Sequence, residues 1–435
     1  MKIPKRIASA IINSLKGGVV PRVGLQYITV GRRTEIEALL HDVDIVADGG
    51  AAFRFIVGKY GSGKSFLMQT VRTYVMDRGF AVVDCDLSPE RRLQGTKGQG
   101  LATYKELVQN MSVRMRPEGG ALNLVLEKWI STLQSGVAVS ADVAPESAEF
   151  RRLMNAEIHK TVNSLSQMVH GFDFARLLTL YYNAYMDGDD ELCARVIKWF
   201  RGEYSTKSEA KSELGVNIII TDEDWYEYLK LFAAFLKMAG YSGLIIFIDE
   251  LVNIYKIPNS ITRQYNYEKI LTMYNDALQG KAHYLGVIMG GTPQCIEDTR
   301  RGVYSYEALR SRLEQGRFGS DEVKDMLAPV IKLSPLNGEE LTVLCEKLKE
   351  IHCELFGYQS NVTSQDIVAF IKIELGRIGA ERNITPREVI RDFIELLNIL
   401  HQNPTASVRG LLGEGFEFAS ADQDDEQDEF AEFVL

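Results

Sequence analysis

The chain has 435 residues, 46% hydrophobic and 25% charged, with a formal charge of −10. That length exceeds what one hydrophobic core ordinarily serves, and the composition excludes the disordered, collagenous and disulfide-scaffold classes. The charge is uneven: Gly410 to Leu435 holds nine acidic residues and no Lys or Arg, so the remainder carries 49 basic against 50 acidic side chains.

The N-terminal stretch, Met1 to Gly18, combines basic and apolar residues, but Ser9, Asn13 and Ser14 interrupt its apolar face and no small-residue cleavage site follows. It predicts an amphipathic helix. The first 33 residues hold seven basic side chains (Lys2, Lys5, Arg6, Lys16, Arg22, Arg32 and Arg33) and no acidic one. This is either a solvated helix face packed on the body or a contact for nucleic acid or an acidic partner. Phe53–Gly58 reads as a buried strand, Ser65–Arg78 as a helix and Phe80–Leu87 as a second strand, a strand-helix-strand unit that opens a parallel sheet. Six helical patterns follow: Tyr104–Met115, Leu122–Leu133, Ser147–His170, Phe172–Met186, Glu191–Arg201 and Asp222–Met238. They predict a helical insertion before the next strand, Leu244–Glu250. Strands at His283–Pro293 and Pro329–Leu336 come next, then three helices at Gly338–Phe356, Ser364–Leu375 and Pro386–His401.

The longest strongly apolar run, Leu244–Ile248, is far shorter than the ~20 residues a membrane span needs, so no membrane association is expected. The five cysteines form no CxxC and the six histidines no HExxH, which suggests neither a disulfide framework nor a zinc site and fits a reduced, cytoplasmic protein.

Gly58-Lys59-Tyr60-Gly61-Ser62-Gly63-Lys64-Ser65 matches G-x4-G-K-[ST] between a strand and a helix, followed by Phe66 in the first turn. In that context the glycines allow backbone N–H groups to converge on phosphate oxygens, the helix N-terminus adds a positive end, and Lys64 supplies a point charge at the β/γ-phosphates. Ser65 is the expected Mg²⁺ ligand. Ile245–Ile248 then runs into Asp249-Glu250, giving Asp249 as metal residue and Glu250 as general base. An Asp-Glu pair favours NTP hydrolysis over phosphate transfer to a small molecule. Thr292, after Gly290-Gly291, is a sensor of the γ-phosphate or attacking water, or a helix N-cap before Pro293; the two roles can coexist. Arg310 and Arg312 lie two apart and cannot share one helix face, so one is expected to point outward as a finger into a neighbour's nucleotide; a solvated face or an internal salt bridge is the alternative. Thr385-Pro386 starts the last helix and puts Arg387 in its first turn, either over the nucleotide or at the surface.

The order of phosphate loop, Asp-Glu strand, Thr-ended strand, arginine pair and helical lid with a late arginine resembles the AAA+ ATPases, most closely their origin-recognition and initiator-loading branch. Gly31-Arg32-Arg33-Thr34-Glu35 resembles the box that lines the adenine pocket there, which gives Gly31, Arg32 and Glu35. The same resemblance implies sensor 1 for Thr292, the arginine finger for Arg312 and sensor 2 for Arg387. Ile11–Leu25 and Ser305–Leu313 are similar to the BREX-system ATP-binding proteins of bacterial phage defence, the BrxD-like family. The resemblance implies an α/β AAA+ (ASCE) P-loop NTPase with parallel sheet, large helical insertion and C-terminal helical lid. It also implies a cytoplasmic ATPase that uses ATP and Mg²⁺, forms homo-oligomers and works beside helicase-like or other defence-system proteins, with DNA as an expected contact. A slow-turnover signalling or scaffold switch that recruits a partner without acting on DNA is the alternative.

The organisation expected is a basic helix and Gly-Arg box over 1–50, a core over 51–97 and 241–336, the insertion over 98–240, the lid over 337–403 and an acidic tail of disordered composition over 404–435. Initiators continue into a winged helix, for which the segment after Asn403 is too short. Any DNA contact is therefore expected from the basic N-terminus, the insertion or a ring interior. The tail interleaves acids with Phe416, Phe418, Phe430 and Phe433, a pattern of segments that dock on basic partners or simply solubilise.

Overall fold

The computed structural model of the protein describes residues 3–141, 147–314, 325–376 and 385–412. Most of the acidic tail, 413–435, lies outside the described residues. The chain divides into two compact units, one formed by residues up to Gly31 and from Pro335 onward, the other by Arg32–Ser334. The segment 1–50 is thus shared between them.

In the larger unit, five parallel strands, β1 (Ala51–Val57), β2 (Ala81–Asp86), β3 (Leu244–Asp249), β4 (Leu285–Gly291) and β5 (Val330–Lys332), lie in the order β2-β3-β4-β1-β5. β4, carrying Gly290-Gly291, is therefore inserted between the phosphate-loop strand and the acid strand. β3 and β4 are buried along their whole length, which explains their near-continuous apolar sequences. Alternate residues serve opposite faces. Phe53, Phe55 and Val57 of β1 join one core, and Ile56 joins the other.

The smaller of these cores is closed by α3 (Arg33–Ala47) through Leu39, Val43 and Val46, and by α4 (Lys64–Asp77) through Leu67, Val71 and Val75. A buried charged pair crosses it: Arg54 of β1 grips Asp42 of α3 through two bonds, Nε–Oδ2 2.5 Å and Nη2–Oδ1 2.7 Å, with both side chains 10% exposed or less. Arg54 also donates to the Ala328 carbonyl before β5.

The opposite face receives the insertion: α5 (Gln99–Gln109), α6 (Leu122–Ala141), α7 (Ala148–Ser166), α8 (Gly171–Asp187), α9 (Asp190–Phe200), α10 (Lys207–Leu214) and α11 (Trp225–Met238). It shares one continuous apolar core with the sheet, centred on aromatic side chains such as Phe174, Phe200 and Phe232 in edge-to-face contact at 5.0–5.8 Å. The sequence expectation did not include α10, and it differs at α5 and α6, which runs on to Ala141. α5 begins five residues earlier than Tyr104, because Asp222 accepts bonds from the Gly98 and Leu101 amides at its start (2.8 and 2.7 Å). Beyond Asn110 the chain leaves the helix, and Ser112 pairs antiparallel with Val82, covering the edge of β2.

Past the acid strand come α12 (Val252–Tyr255), α13 (Ser260–Leu278), α14 (Pro293–Glu297), the 3₁₀ turn Val303–Ser305 and α15 (Glu307–Leu313). α13 is held by buried polar groups. Its Asn266 has all four bonds made, accepting from the Leu93 and Gln94 amides and donating to the Gln94 and Thr262 carbonyls at 2.9–3.0 Å. Asp276 accepts from Lys230 at 2.8 Å.

The smaller unit contains α1 (Lys5–Lys16), α2 (Leu25–Ile28), α16 (Gly338–Phe356), α17 (Ser364–Gly376), α18 (Pro386–Gln402) and α19 (Val408–Leu411). α1 buries Ala8, Ile11, Ile12 and Leu15 against α16 and α18, about 1.5–3 kcal/mol for each of its larger side chains, and leaves Lys5, Arg6 and Lys16 in solvent. Its basic residues are the outer face of a helix packed on α16 and α18, while Arg32 and Arg33 of the same basic run fall in the other unit. Lys347 Nζ donates to the Thr29 carbonyl at 2.7 Å. His352, fully buried, faces the Tyr358 hydroxyl at Nδ1 (2.8 Å) and Asn398 Oδ1 at Nε2 (3.2 Å), with His401 packed on both His352 and Tyr358. No helix among the described residues is long and apolar enough to cross a membrane.

Candidate nucleotide site

Because all five strands are parallel, the segments leaving β1, β3 and β4 emerge at the same end of the sheet, where the register aligns Val57 with Gly291 and Ile248 with Met289. The loop Gly58–Ser65 leaves β1 and turns through Gly61 (φ 74°) and Gly63 (φ 91°) into α4, which starts at Lys64. Both angles lie in the region glycine reaches without steric cost. Gly58 is fixed by close approach instead: a Cβ there would stand 2.4 Å from the Ser62 hydroxyl. Lys59, Tyr60 and Ser65 are exposed, and Phe66 is half-buried. Lys64 Nζ donates to the Gly58 and Lys59 carbonyls at 2.9 and 3.1 Å.

Ser65 Oγ donates to Asp249 Oδ2 at 2.6 Å. Asp249 is 9% exposed, and its other oxygen accepts from the Glu250 amide at 2.8 Å. Glu250 itself takes a left-handed backbone (φ 61°), an uncommon conformation for a side chain of this size. Behind Asp249 there is no spare room: a Cβ on Gly290 would lie 2.3 Å from Asp249 Oδ1 and 2.9 Å from Met68 Sδ.

Thr292 caps α14, its hydroxyl accepting from the Cys295 amide at 3.3 Å. The hydroxyl proton and a second lone pair are not needed for that bond, so capping and sensing are compatible on one side chain. Cys295 returns the contact through its thiol, donating to the Thr292 carbonyl at 3.1 Å. Burial pushes that thiol up to about 11, against smaller opposing effects that include Lys64, so it is a neutral packing group beside the site.

Sequence reasoning missed Asp86. It ends β2 in register with Asp249, and loss of water around its carboxyl, then the negative Asp249, Glu250 and Asp84, push it up to about 6 although part of its side chain meets solvent. A carboxylate closing an apolar strand that runs parallel to the acid strand is the signal that was available.

Whether Mg²⁺ fits can be judged from these donors. No group of three or more His, Cys, Asp or Glu side chains arranged to hold a metal occurs among the described residues. Mg²⁺ is ordinarily held by one or two carboxylates, with phosphate oxygens and water completing its octahedron. The touching pair Ser65 and Asp249, within the negative field that raises Asp86, suits that mode of binding.

The remaining expected residues fall elsewhere. Arg310 and Arg312 are both exposed on α15, which buries Leu309 and Leu313. A two-residue step on a helix turns 200°, and with only Leu309 and Leu313 inward, both arginines flank the buried stripe. Arg310 Nη2 lies 3.3 Å from Glu314, and Arg312 Nη1 donates to its own helix at the Ala308 carbonyl, 2.6 Å. Arg387 is in the first turn of α18, alongside Gly18 in the smaller unit. Gly31 (φ 63°) ends the smaller unit's first segment, and Arg32 opens the larger unit with a buried side chain that bonds Glu35, Ser62 and Ser334.

Comparison with known proteins gives no match among curated sequences. Residues 3–415 match the family described as BREX system ATP-binding protein BrxC/D. A five-stranded parallel sheet with the phosphate loop after β1 is the fold expected of such a P-loop protein. The chain belongs to the BREX system ATP-binding protein BrxC/D family, and its role is that of an ATP-binding protein in a defence system.

Proposed function

We propose that the protein is an AAA+-type Mg-ATP hydrolase, cytoplasmic, whose nucleotide state controls its assembly with itself, with DNA or with a helicase-like partner of the same defence system. The observation that carries this reading is the 2.6 Å contact between Ser65 and Asp249 directly beneath the phosphate loop, with Glu250 next in the chain. In this reading the loop amides and Lys64 hold the β- and γ-phosphates, and Ser65 and Asp249 are the side chains that hold Mg²⁺. Mg²⁺, when bound there, would supply positive charge to offset the negative charge that develops on the phosphate oxygens. Glu250 orients the attacking water and receives its proton, and Thr292 donates its free hydroxyl proton to that water or to the γ-phosphate. Arg312, or its neighbour Arg310, is exposed and suited to act on the nucleotide of a second copy, a contribution of about 10³–10⁵ in rate for such fingers. Arg387 is the lid arginine of the same scheme, and the region 337–403 is the lid.

The test is steady-state ATP hydrolysis and equilibrium ATP binding, each with and without single- and double-stranded DNA. Lys64→Ala abolishes binding or turnover, whereas Glu250→Gln retains ATP and stops hydrolysis. Wild-type turnover in Glu250→Gln refutes the base assignment. Turnover indifferent to DNA, together with a partner complex formed only with ATP, selects the switch reading over the DNA-directed one.

A further inference from the structure

The chain passes between its two units twice, at Gly31–Arg32 and at Ser334–Pro335. Arg32, the first residue of the larger unit, adopts a left-handed backbone (φ 61°), which side chains other than glycine, asparagine and aspartate rarely take. Its side chain is only 8% exposed, and its guanidinium donates to three protein acceptors: the Ser334 carbonyl at 2.7 Å, the Ser62 carbonyl at 3.1 Å and Glu35 Oε1 at 3.3 Å. Ser334 is the last residue of the larger unit, so one planar group ties the first crossing to the second and both to the phosphate loop. Within the smaller unit the crossings also meet. A Cβ on Gly31 would stand 2.4 Å from Glu340 Oε1, and Glu340 closes the capping box with Asn337 that starts α16 just past the second crossing.

We propose that Arg32 is a positioning residue that couples occupancy of the phosphate loop to the paired chain crossings, and through them to the lid. Its Nη2 is shared between the Ser62 and Ser334 carbonyls. Ser62 is the loop residue between Gly61 and Gly63, where backbone groups must turn toward an incoming phosphate. A guanidinium is rigid and planar and cannot follow two carbonyls that move independently, so a shift of Ser62 on nucleotide binding is felt at Ser334. The left-handed backbone leaves this residue little freedom to absorb the change itself. This rests on the nucleotide reading of the loop and goes beyond it by naming the group that passes the signal on.

The test is amide hydrogen exchange of the full chain with and without saturating Mg-ATP, followed at residues 58–66 and 335–341. In the wild type both segments change. In Arg32→Gly, whose backbone suits φ 61°, with Mg-ATP raised until the site is again saturated, the response at 335–341 falls at least fivefold relative to that at 58–66. Arg32→Lys, which keeps the charge but offers one ammonium in place of the fork, recovers only part of it and guards against misfolding of the glycine variant. An undiminished response at 335–341 in Arg32→Gly and Arg32→Lys overturns the proposal. So does a wild type that responds at 58–66 alone, or a folded glycine variant that no longer responds at 58–66, which would make Arg32 a direct part of the nucleotide site. No response at 58–66 in the wild type would instead overturn the nucleotide reading.

Discussion

Gly290→Ala probes the site through a single methyl group. The added Cβ would meet Asp249 Oδ1 at 2.3 Å and Met68 Sδ at 2.9 Å. A carbon and a carboxylate oxygen settle near 3.3 Å, so the carboxylate must retreat by about 1 Å, away from the position at which it accepts the Ser65 hydroxyl at 2.6 Å. A displacement of about 1 Å in a catalytic constellation costs about 10²-fold in rate, equivalent to ~2.7 kcal/mol in the barrier. Overpacking of the same kind lowers stability by about 1–3 kcal/mol. The control lies on the same strand. At Gly286 a Cβ would be 2.5 Å from the Ile245 Cδ1 methyl, a flexible chain end that can rotate away, and the site is untouched. Steady-state hydrolysis of ATP under saturating Mg²⁺ should therefore fall about 100-fold in Gly290→Ala and by less than about threefold in Gly286→Ala. Equal turnover in the two variants, both folded, would refute the reasoning that Asp249 is held in place by the missing side chain of Gly290.

Asp42→Ala leaves the Arg54 charge buried without its carboxylate and should cost about 3–5 kcal/mol in urea unfolding, whereas the double variant Asp42→Leu with Arg54→Met should recover most of it. His352 is held below its ordinary value, chiefly by burial and also by neighbouring His401, against an opposing bond to Asn398; Tyr358 also faces it. The unfolded chain therefore binds more protons as pH falls below about 6.5, and the stability this group contributes is present above that pH and declines below it until the folded-state value is passed. His352→Asn should flatten that decline in urea midpoints measured between pH 8 and 5.5. Mixing Arg312→Ala with Lys64→Ala chains should restore part of the ATP turnover that each lacks, if nucleotide sites lie between copies; two folded variants with no rescue would leave Arg312 an ordinary helix-surface group.

The core strands and the three long C-terminal helices were legible because burial is expressed directly in their residues. Ile245–Ile248 is apolar on both faces of the sheet, and the start of α16 is marked by Asn337 with Glu340. The helices α3 and α13 were not legible, for a shared physical reason. Their buried sides carry Glu35 and Asp42 in one, Arg263, Asn266 and Asp276 in the other, so the hydrophobic period that signals a helix is interrupted where polar partners take its place. The phosphate loop and the Asp-Glu pair could be read because their chemistry is local in sequence. Asp86, the crowding at Gly290 and the three bonds of Arg32 depend on which strands and loops become neighbours, and no spacing along the chain encodes that.

The packing of α1 on α16 and α18 also has a meaning during synthesis. The helix α1, with Ala8, Ile11, Ile12 and Leu15 on one side, is made well before its partners, which follow roughly 320 residues later. At a ribosomal rate of about 5–20 residues per second, that sticky surface waits for about 15–65 s. Over that interval the larger unit, Arg32–Ser334, emerges whole and has time to fold first. The apolar side of α1 is then exposed to chaperones and to other nascent chains, and the smaller unit closes only once α16 and α18 have been made.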